Sequence, residues 1–304
     1  MSAELVALSN ALAESTDRAA ASAVAVHTET RSSSSGVVWR PGVVVTAEHA
    51  LRRDEEIQLT LPDGRVVAAT LAGRDPSTDI AVLKCAEAAT AIGEFGDVTS
   101  LKPGSLTLVV GRTRASGPVA GLAVVSLVAA ERHAWPGGSF APYVRLDIGL
   151  QPTAAGGVVV DAHARAVGMA TPRFARFGAI AIPAPTVNRV MDILLEKGRI
   201  PRGYLGVGLQ SVRLPDTLRQ SLQRTDKGAA IVIDVEPNGP AHKAGIVIGD
   251  ILVSLAGRPV TRLDDIYSQL NAEVIARPLN LKFIRGGAIQ EASIVVGERP
   301  HGGD

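Results

Sequence analysis

From Ala23 to about Ile182 the chain is a succession of short β-branched runs separated by turn residues, and this spacing limits the available folds more than any other feature. The early runs are Ala23–Val26, Gly36–Trp39, Val43–Thr46, Ile57–Leu61, Arg65–Ala69 and Ile80–Leu83. The later ones are Ser105–Val110, Gly121–Val128, Tyr143–Asp147, Gly157–Val160, Ala166–Ala170 and Gly178–Ile182. Pro62-Asp63-Gly64 joins two of them as a hairpin turn, because proline fixes φ and glycine accepts a positive one. The intervals are too short for crossover helices, so a parallel α/β sheet is excluded. A mostly β chain built as a barrel or a pair of barrels remains.

The pattern changes after Ile182. A helix is expected over Pro185–Glu196, opened by proline and closed at Lys197-Gly198. Residues 198–203 are basic and turn-rich and read as a linker between a first domain, 23–197, and a second, 204–297. The second domain carries strands near Leu205–Val212, Ala229–Val235, Asp250–Leu255, Leu279–Arg285 and Gln290–Val296. Helices are expected around Pro215–Leu222, Pro240–Ala244 and Leu263–Leu270, which makes a small α+β unit. Residues 1–22 read as an amphipathic helix packing on the body through Leu5, Leu8 and Leu12, and 298–304 as a frayed polar tail. Ser32–Ser35 reads as a brief flexible loop.

Composition narrows the function. The 304 residues suit about two domains, and 31 Lys+Arg against 30 Asp+Glu give no field favouring nucleic acid or an anionic membrane. The arginines from Arg112 to Arg114 read as solvated surface. Aromatics at 3% offer no base-stacking platform. A single cysteine, Cys85, excludes an intrachain disulfide and a thiolate zinc site, and no His-x-x-His or Glu-x-x-His spacing suggests another metal. No metal or cofactor is expected. The start of the chain lacks a basic, unbroken apolar leader and no long apolar run follows, so a cytoplasmic, membrane-free protein is expected.

Three local sequences carry chemistry. Thr46-Ala47-Glu48-His49-Ala50 puts a histidine just past a β run, and Asp75 to Leu83 puts Asp79 at the start of a strand. Asp147 to Val160, DIGLQPTAAGGVVV, ends in a Gly-Gly turn feeding another strand. The order His, Asp, Gly-Gly loop is that of two-barrel trypsin-like proteases, in which a serine attacks, a histidine takes its proton and an aspartate holds the imidazole. These stretches resemble the HtrA (Deg) family of serine proteases. The resemblance implies a trypsin-like double β-barrel, with His49 and Asp79 as two triad members and Ala155 at the nucleophile position, eight residues after Asp147.

It further implies an oxyanion hole at Thr153, Ala154 and Ala155, and a substrate pocket at Gly149, Gly178, Ala179 and Ile180, the last three from Phe177–Pro183. Alanine has no attacking atom, and loss of the serine alone costs about a million-fold in turnover, or roughly 8 kcal/mol of barrier. A β-branched residue at 153, where the family has glycine, resists the backbone angles such a hole needs. Departures at 153, 154 and 155 together favour natural loss over one engineered change, though both readings stand. Ser139 reads as a loop residue and Cys85 as a buried structural thiol. His27, His133, His163, His242 and His301 read as ordinary surface or core residues.

Arg202-Gly203-Tyr204-Leu205-Gly206-Val207 resembles the carboxylate-binding loop of PDZ domains in their HtrA form. Glu236 to Leu252, with Pro237, Gly239-Pro240-Ala241, Ala244-Gly245 and Gly249-Asp250, resembles the longer signature of the same domain. The resemblance implies that Leu205, Gly206 and Val207 gather around a terminal carboxylate, that the strand with Leu209 receives an extended peptide, and that Ile266 and Tyr267 wall the groove. The implied partners are peptides or protein C-termini with an apolar last residue. A homo-oligomer is implied too, although the N-terminal aromatic residues that clamp family trimers have no counterpart here. The overall expectation is an HtrA-like pseudoprotease that binds peptides. The alternative is an active endopeptidase of protein quality control whose serine was replaced at 155.

Overall fold

The computed structural model describes residues 2–28, 34–51, 56–130, 132–134 and 138–299. The chain divides into two compact units, Met1–Arg132 with Ser139–Ile200, and His133–Gly138 with Pro201–Asp304.

The first unit opens with α1 (Ala3–Ala20), capped by Ser2, whose side chain accepts from the Leu5 N–H. Six strands then close into a barrel: β1 (Ala23–Thr28), β2 (Ser34–Arg40), β3 (Val43–Ala47), β4 (Ile57–Thr60), β5 (Val66–Asp75) and β6 (Ile80–Lys84). Its order is β1-β2-β3-β6-β5-β4, around Val24, Val26, Val38, Val44, Leu59 and Leu83. Next come β7 (Leu106–Thr113) and β8 (Gly117–Ala129), then β9 (Arg132–Ala134) and β10 (Gly138–Phe140), of which residues 133–138 fall to the second unit, and then β11 (Tyr143–Asp147), β12 (Val158–Val160), β13 (Ala166–Thr171) and β14 (Ala179–Pro183). A second closed barrel, β11-β14-β13-β12-β7-β8, surrounds Val109, Val125, Val144, Val159 and Ala181. In each barrel strand, alternate side chains meet at the centre, the period-2 pattern visible in the sequence. The helix α2 (Ala184–Lys197) packs on both barrels, tied by Trp39 Nε1 donating to Asn188 Oδ1 at 2.7 Å.

The second unit has β15 (Gly203–Tyr204), β16 (Val207–Arg213), α3 (Asp216–Ser221), β17 (Gly228–Val235), α4 (Pro240–Lys243), β18 (Ile251–Leu255) and β19 (Arg258–Pro259). It ends with α5 (Leu263–Tyr267), β20 (Pro278–Arg285), β21 (Ala288–Val295) and β22 (Gly297–Glu298). The main sheet runs β16-β17-β18-β20-β21, so β16 is an edge strand, and β15 pairs with β22. The core gathers Leu205, Val232, Leu252, Ile266, Leu281, Phe283 and Ile294.

Five sequence expectations need correction. The helix α1 docks through Ser15, Ala19 and Ala20 at its far end, leaving Leu5 and Leu8 58% and 46% exposed. That end is held by Arg112, which is buried and not surface: its Nε donates to Ala23 O at 2.7 Å and its Nη2 to Ala20 O at 3.0 Å. Ser34 and Ser35 are buried in β2 instead of looping out, while Ser32 and Ser33 lie outside the described residues. Ser139 lies in β10 and not in a loop, and Glu298 and Arg299 are tied to the unit, the Arg299 N–H donating to Arg202 O at 2.9 Å. Among the described residues no helix is long and apolar enough to cross a membrane.

Candidate functional site

Strand register brings the first barrel's polar centre together. Ala47 of β3 pairs with Ile80 of β6, so the turn Glu48–Ala50 just past β3 lies beside Asp79 just before β6. The Glu48 N–H donates to Asp79 O at 3.1 Å. Asp79 adopts φ 57°, a left-handed conformation that aspartate tolerates better than most residues. Its fully buried carboxylate accepts the His49 main-chain N–H at 2.9 Å and meets His49 Nδ1 at 2.8 Å. The Thr171 hydroxyl donates to the same carboxylate, and Arg173 Nη1 stands 3.8 Å away. The imidazole is thereby fixed at one nitrogen and remains 32% exposed.

Glu48, unremarked in the sequence, is buried beside this pair. Its carboxylate meets Arg173 at 3.3 Å and Arg74 at 3.7 Å. Burial pushes its carboxyl pKa up and the neighbouring Asp79 pushes it further, while the two arginines and His49 pull it down.

The Gly-Gly loop is held against β2 and β3. The Ser35 N–H donates to Ala155 O at 2.9 Å and the Ser35 hydroxyl to Thr153 O at 2.6 Å. The Ser35 Oγ itself accepts from the Arg112 N–H at 2.9 Å. Gly156 at φ 83° is packed so closely on Ser35 O and the Ala47 N–H that no Cβ fits there. Position 155 is therefore brought to the end of β3, two residues before His49. Ala155 is buried, and its methyl offers no nucleophile.

Of the residues expected to form an oxyanion hole, Ala154 and Ala155 turn their N–H groups into a local 3-10 turn. Pro152–Ala154 forms a 3-10 turn in which the Ala154 N–H donates to Gln151 O at 2.9 Å and the Ala155 N–H to Pro152 O at 3.2 Å. Donors spent inside their own turn cannot converge on a substrate oxygen. Of the expected pocket residues, Gly178 lies against Ile148, the neighbour of Gly149. Gly149 lines a cavity of about 450 Å³ with Ile148, Leu150, Thr153, Ala154 and Leu122. Gly178 packs on Leu146 O, whereas Ala179 and Ile180 pair with Leu146 and Arg145 and are fully buried in the barrel wall. Among the described residues no group of His, Cys, Asp and Glu side chains could hold a metal ion.

In the second unit the loop before β16 is set by two main-chain bonds. Leu205 O accepts from the Ala241 N–H at 2.8 Å and Gly206 O from the Glu236 N–H at 2.9 Å. A trans peptide points its N–H opposite its carbonyl, so the N–H groups of Gly206 and Val207 face away from those partners, to the loop's open side. Gly206 at φ 72° allows this turn. There lies a cavity of about 110 Å³, lined by Leu205, Gly206, Val207, Leu209, Ile266 and Tyr267, six residues expected from the sequence. Ile266 serves the core and the cavity wall together.

Leu270, Arg202 and Arg299 also line it and were not anticipated as groove residues. Both arginines sit where β15 and β22 meet, a pairing of segments almost a hundred residues apart that no local pattern announces. Beside them the Tyr204 hydroxyl donates to Glu236, and burial together with that bond pushes the phenol pKa up to about 12.

Two closed six-stranded barrels with a histidine–aspartate pair and a Gly-Gly loop at the end of β3 define a trypsin-like peptidase fold, and the edge-strand unit with its glycine loop before β16 a PDZ domain. Comparison with known proteins agrees. Residues 34–169 match the trypsin-like peptidase domain family and residues 203–296 the PDZ domain family. A probable periplasmic serine endoprotease, DegP-like, of Pseudomonas putida (strain GB-1) is 30% identical over 278 residues, covering 90% of this chain and 57% of that protein. Its counterpart in Pseudomonas fulva (strain 12-X) is 29% identical over the same shares. The chain thus spans 57% of the length of these curated relatives.

Among solved structures, the HtrA-type protease AlgW with tripeptide is 25% identical at TM-score 0.74, covering 95% of this chain and 97% of that one. A variant of AlgW with tripeptide reaches 26% and 0.77 over the same shares. This chain joins a trypsin-like peptidase domain to a PDZ domain and is similar over most of its length to HtrA-type serine proteases.

One expectation falls here. The curated relatives are named periplasmic, which overturns the cytoplasmic reading.

Proposed function

We propose that this protein is a peptide-binding member of the HtrA family, taking the C-terminus of a partner chain into its PDZ groove and performing no acyl transfer at its barrel site. The observation that carries this reading is the open edge of β16 beside a loop whose Gly206 and Val207 N–H groups face outward over an apolar cavity. An extended peptide adds to such an edge as a further strand, with its carboxylate at the loop and its last side chain among Leu209, Ile266 and Leu270. The tripeptide and decapeptide held by solved relatives support it. In the barrels, Ala155 supplies no nucleophile, and the 3-10 turn at 152–154 keeps the N–H groups of Ala154 and Ala155 occupied. The protein then acts as an adaptor, scaffold or holdase. Binding of peptides ending in Val or Leu, followed by calorimetry, is expected to weaken about tenfold or more when the terminal carboxylate is amidated, the effect of losing charge-assisted hydrogen bonds. Equal affinity for the acid and the amide would remove the carboxylate-capture reading.

The intact pairing of His49, Asp79 and Thr171 favours a second reading, a serine endopeptidase whose nucleophile was replaced. The variant Ala155→Ser separates the two. Little peptide hydrolysis is expected from it, since Thr153 and the occupied Ala155 N–H remain; robust casein cleavage by that single variant would establish the endopeptidase.

A further inference from the structure

The groove changes character along its length. Successive residues of a strand face opposite sides, so Val207, Leu209, Ser211 and Arg213 share one face of β16. Val207 and Leu209 pack on the core beside Ile266, while Ser211 and Arg213 are exposed. That face begins apolar at the loop and ends cationic.

The opposite wall follows the same gradient. The backbone of Leu270, just past α5, packs on Gly203 at the loop end. The Thr261 carbonyl, just before α5, packs on Gly228, the residue paired with Arg213. Arg262, with 77% of its side chain exposed, therefore stands across from Arg213 at the far mouth. Behind them, Arg219 binds Asp216 at 2.5 Å, and Lys227 and Arg213 act on that same carboxylate, holding it below its usual range. Three cations thus act on this one acid, while Asp226 beside Lys227 pairs with Arg224 at 3.6 Å. Asp264, 3.5 Å from Arg262, offsets part of that arginine's charge, and Asp265 is spent on the Thr261 and Arg262 N–H groups.

A peptide whose carboxylate sits at Leu205–Val207 must run antiparallel to β16. Six steps along a strand span about 20 Å, which brings its fifth to seventh residues from the end beside Arg213 and Arg262. Resting on the peptide reading above, we infer that the groove selects C-termini that combine an apolar last residue with acidic residues about five to seven positions upstream.

The test uses the full-length protein and three synthetic decapeptides with the same terminal valine. One carries glutamates at the fifth to seventh positions from the end, one carries lysines there, and one is the glutamate peptide amidated. Fluorescence anisotropy at low salt is expected to show the glutamate peptide binding about fivefold more tightly than the lysine peptide, the scale of two exposed ion pairs. The gap should close as salt rises. The double variant Arg213→Glu with Arg262→Glu is expected to invert the order. Equal affinities for the two acids, or an order unchanged in the double variant, would overturn the charge preference while leaving carboxylate capture standing. If the amide matches its acid, or none of the three binds, carboxylate capture fails and this selectivity fails with it.

Discussion

At residues 154 to 156 the N–H donors are consumed within the fold: Ala154 and Ala155 N–H close a 3-10 turn, Gly156 N–H reaches Ala170 O at 2.8 Å, and the Ser35 hydroxyl holds Thr153 O. In the loop at Leu205–Val207 the carbonyls are the satisfied groups, and the N–H groups of Gly206 and Val207 turn outward. Both segments use a left-handed glycine beside an apolar cavity. They differ in which polar atoms are left for a ligand. A loop that satisfies its own donors is a structural joint. One that keeps them free, next to an unpaired strand, gains by binding.

That contrast is most easily broken by giving each glycine a methyl group. Gly156→Ala forces a Cβ into main-chain atoms of Ser35 and Ala47 at a positive φ. It should cost about 3 kcal/mol or more, strain and overpacking together, and lower the melting temperature by about 10 °C. Gly206→Ala meets its nearest atoms, Pro240 Cδ and Gly239 Cα, at 3.3 and 3.4 Å, so strain dominates and about 1 kcal/mol of stability is expected to be lost. Its larger effect should fall on peptide affinity. Calorimetric melts with peptide titrations check both. A Gly156→Ala protein that melts like the parent, or a Gly206→Ala protein that binds like it, would mean that the two loops are not specialised as described.

The same difference explains what could be read beforehand. The β runs were legible because alternation and Gly/Pro punctuation are local, and His49, Asp79 and the Leu205–Val207 loop sit in short motifs. Ser35 and Arg112 were not legible, because what they bind is main chain: Ser35 reaches Thr153 O and Arg112 reaches Ala20 O and Ala23 O, all distant in sequence. A side chain that bonds a carbonyl leaves no trace in the identity of its partner residue. Burial misled in the same way. Arg112 carries a charge that composition assigns to the surface, yet two carbonyl acceptors hold it inside, and its pKa is lowered by desolvation. The spent donors at 152–155 were hidden for another reason: the sequence shows which residues form a loop, and the direction of each peptide plane is decided by neighbours on other strands.

A smaller effect sharpens the comparison at the closed site. Burial raises the Glu48 carboxyl pKa above its ordinary 4.5, so the folded chain holds that proton more firmly than the unfolded one. Where the unfolded chain has lost the proton and the folded chain retains it, stability falls as pH rises. The window opens near 4.5 and closes once pH passes the raised folded value, above which the deficit is constant. Glu48→Gln removes this titration while leaving Asp79, His49 and both arginines in place. Urea unfolding of parent and variant between about pH 4 and pH 8 should therefore show the parent's stability, relative to the variant, declining as pH increases. The opposite slope would mean that Arg74 and Arg173 outweigh the cost of burial and that the carboxylate is a net stabiliser of the barrel site. Peptide binding at the PDZ groove involves no part of this cluster, and its affinity is expected to be the same in the two proteins at every pH tested.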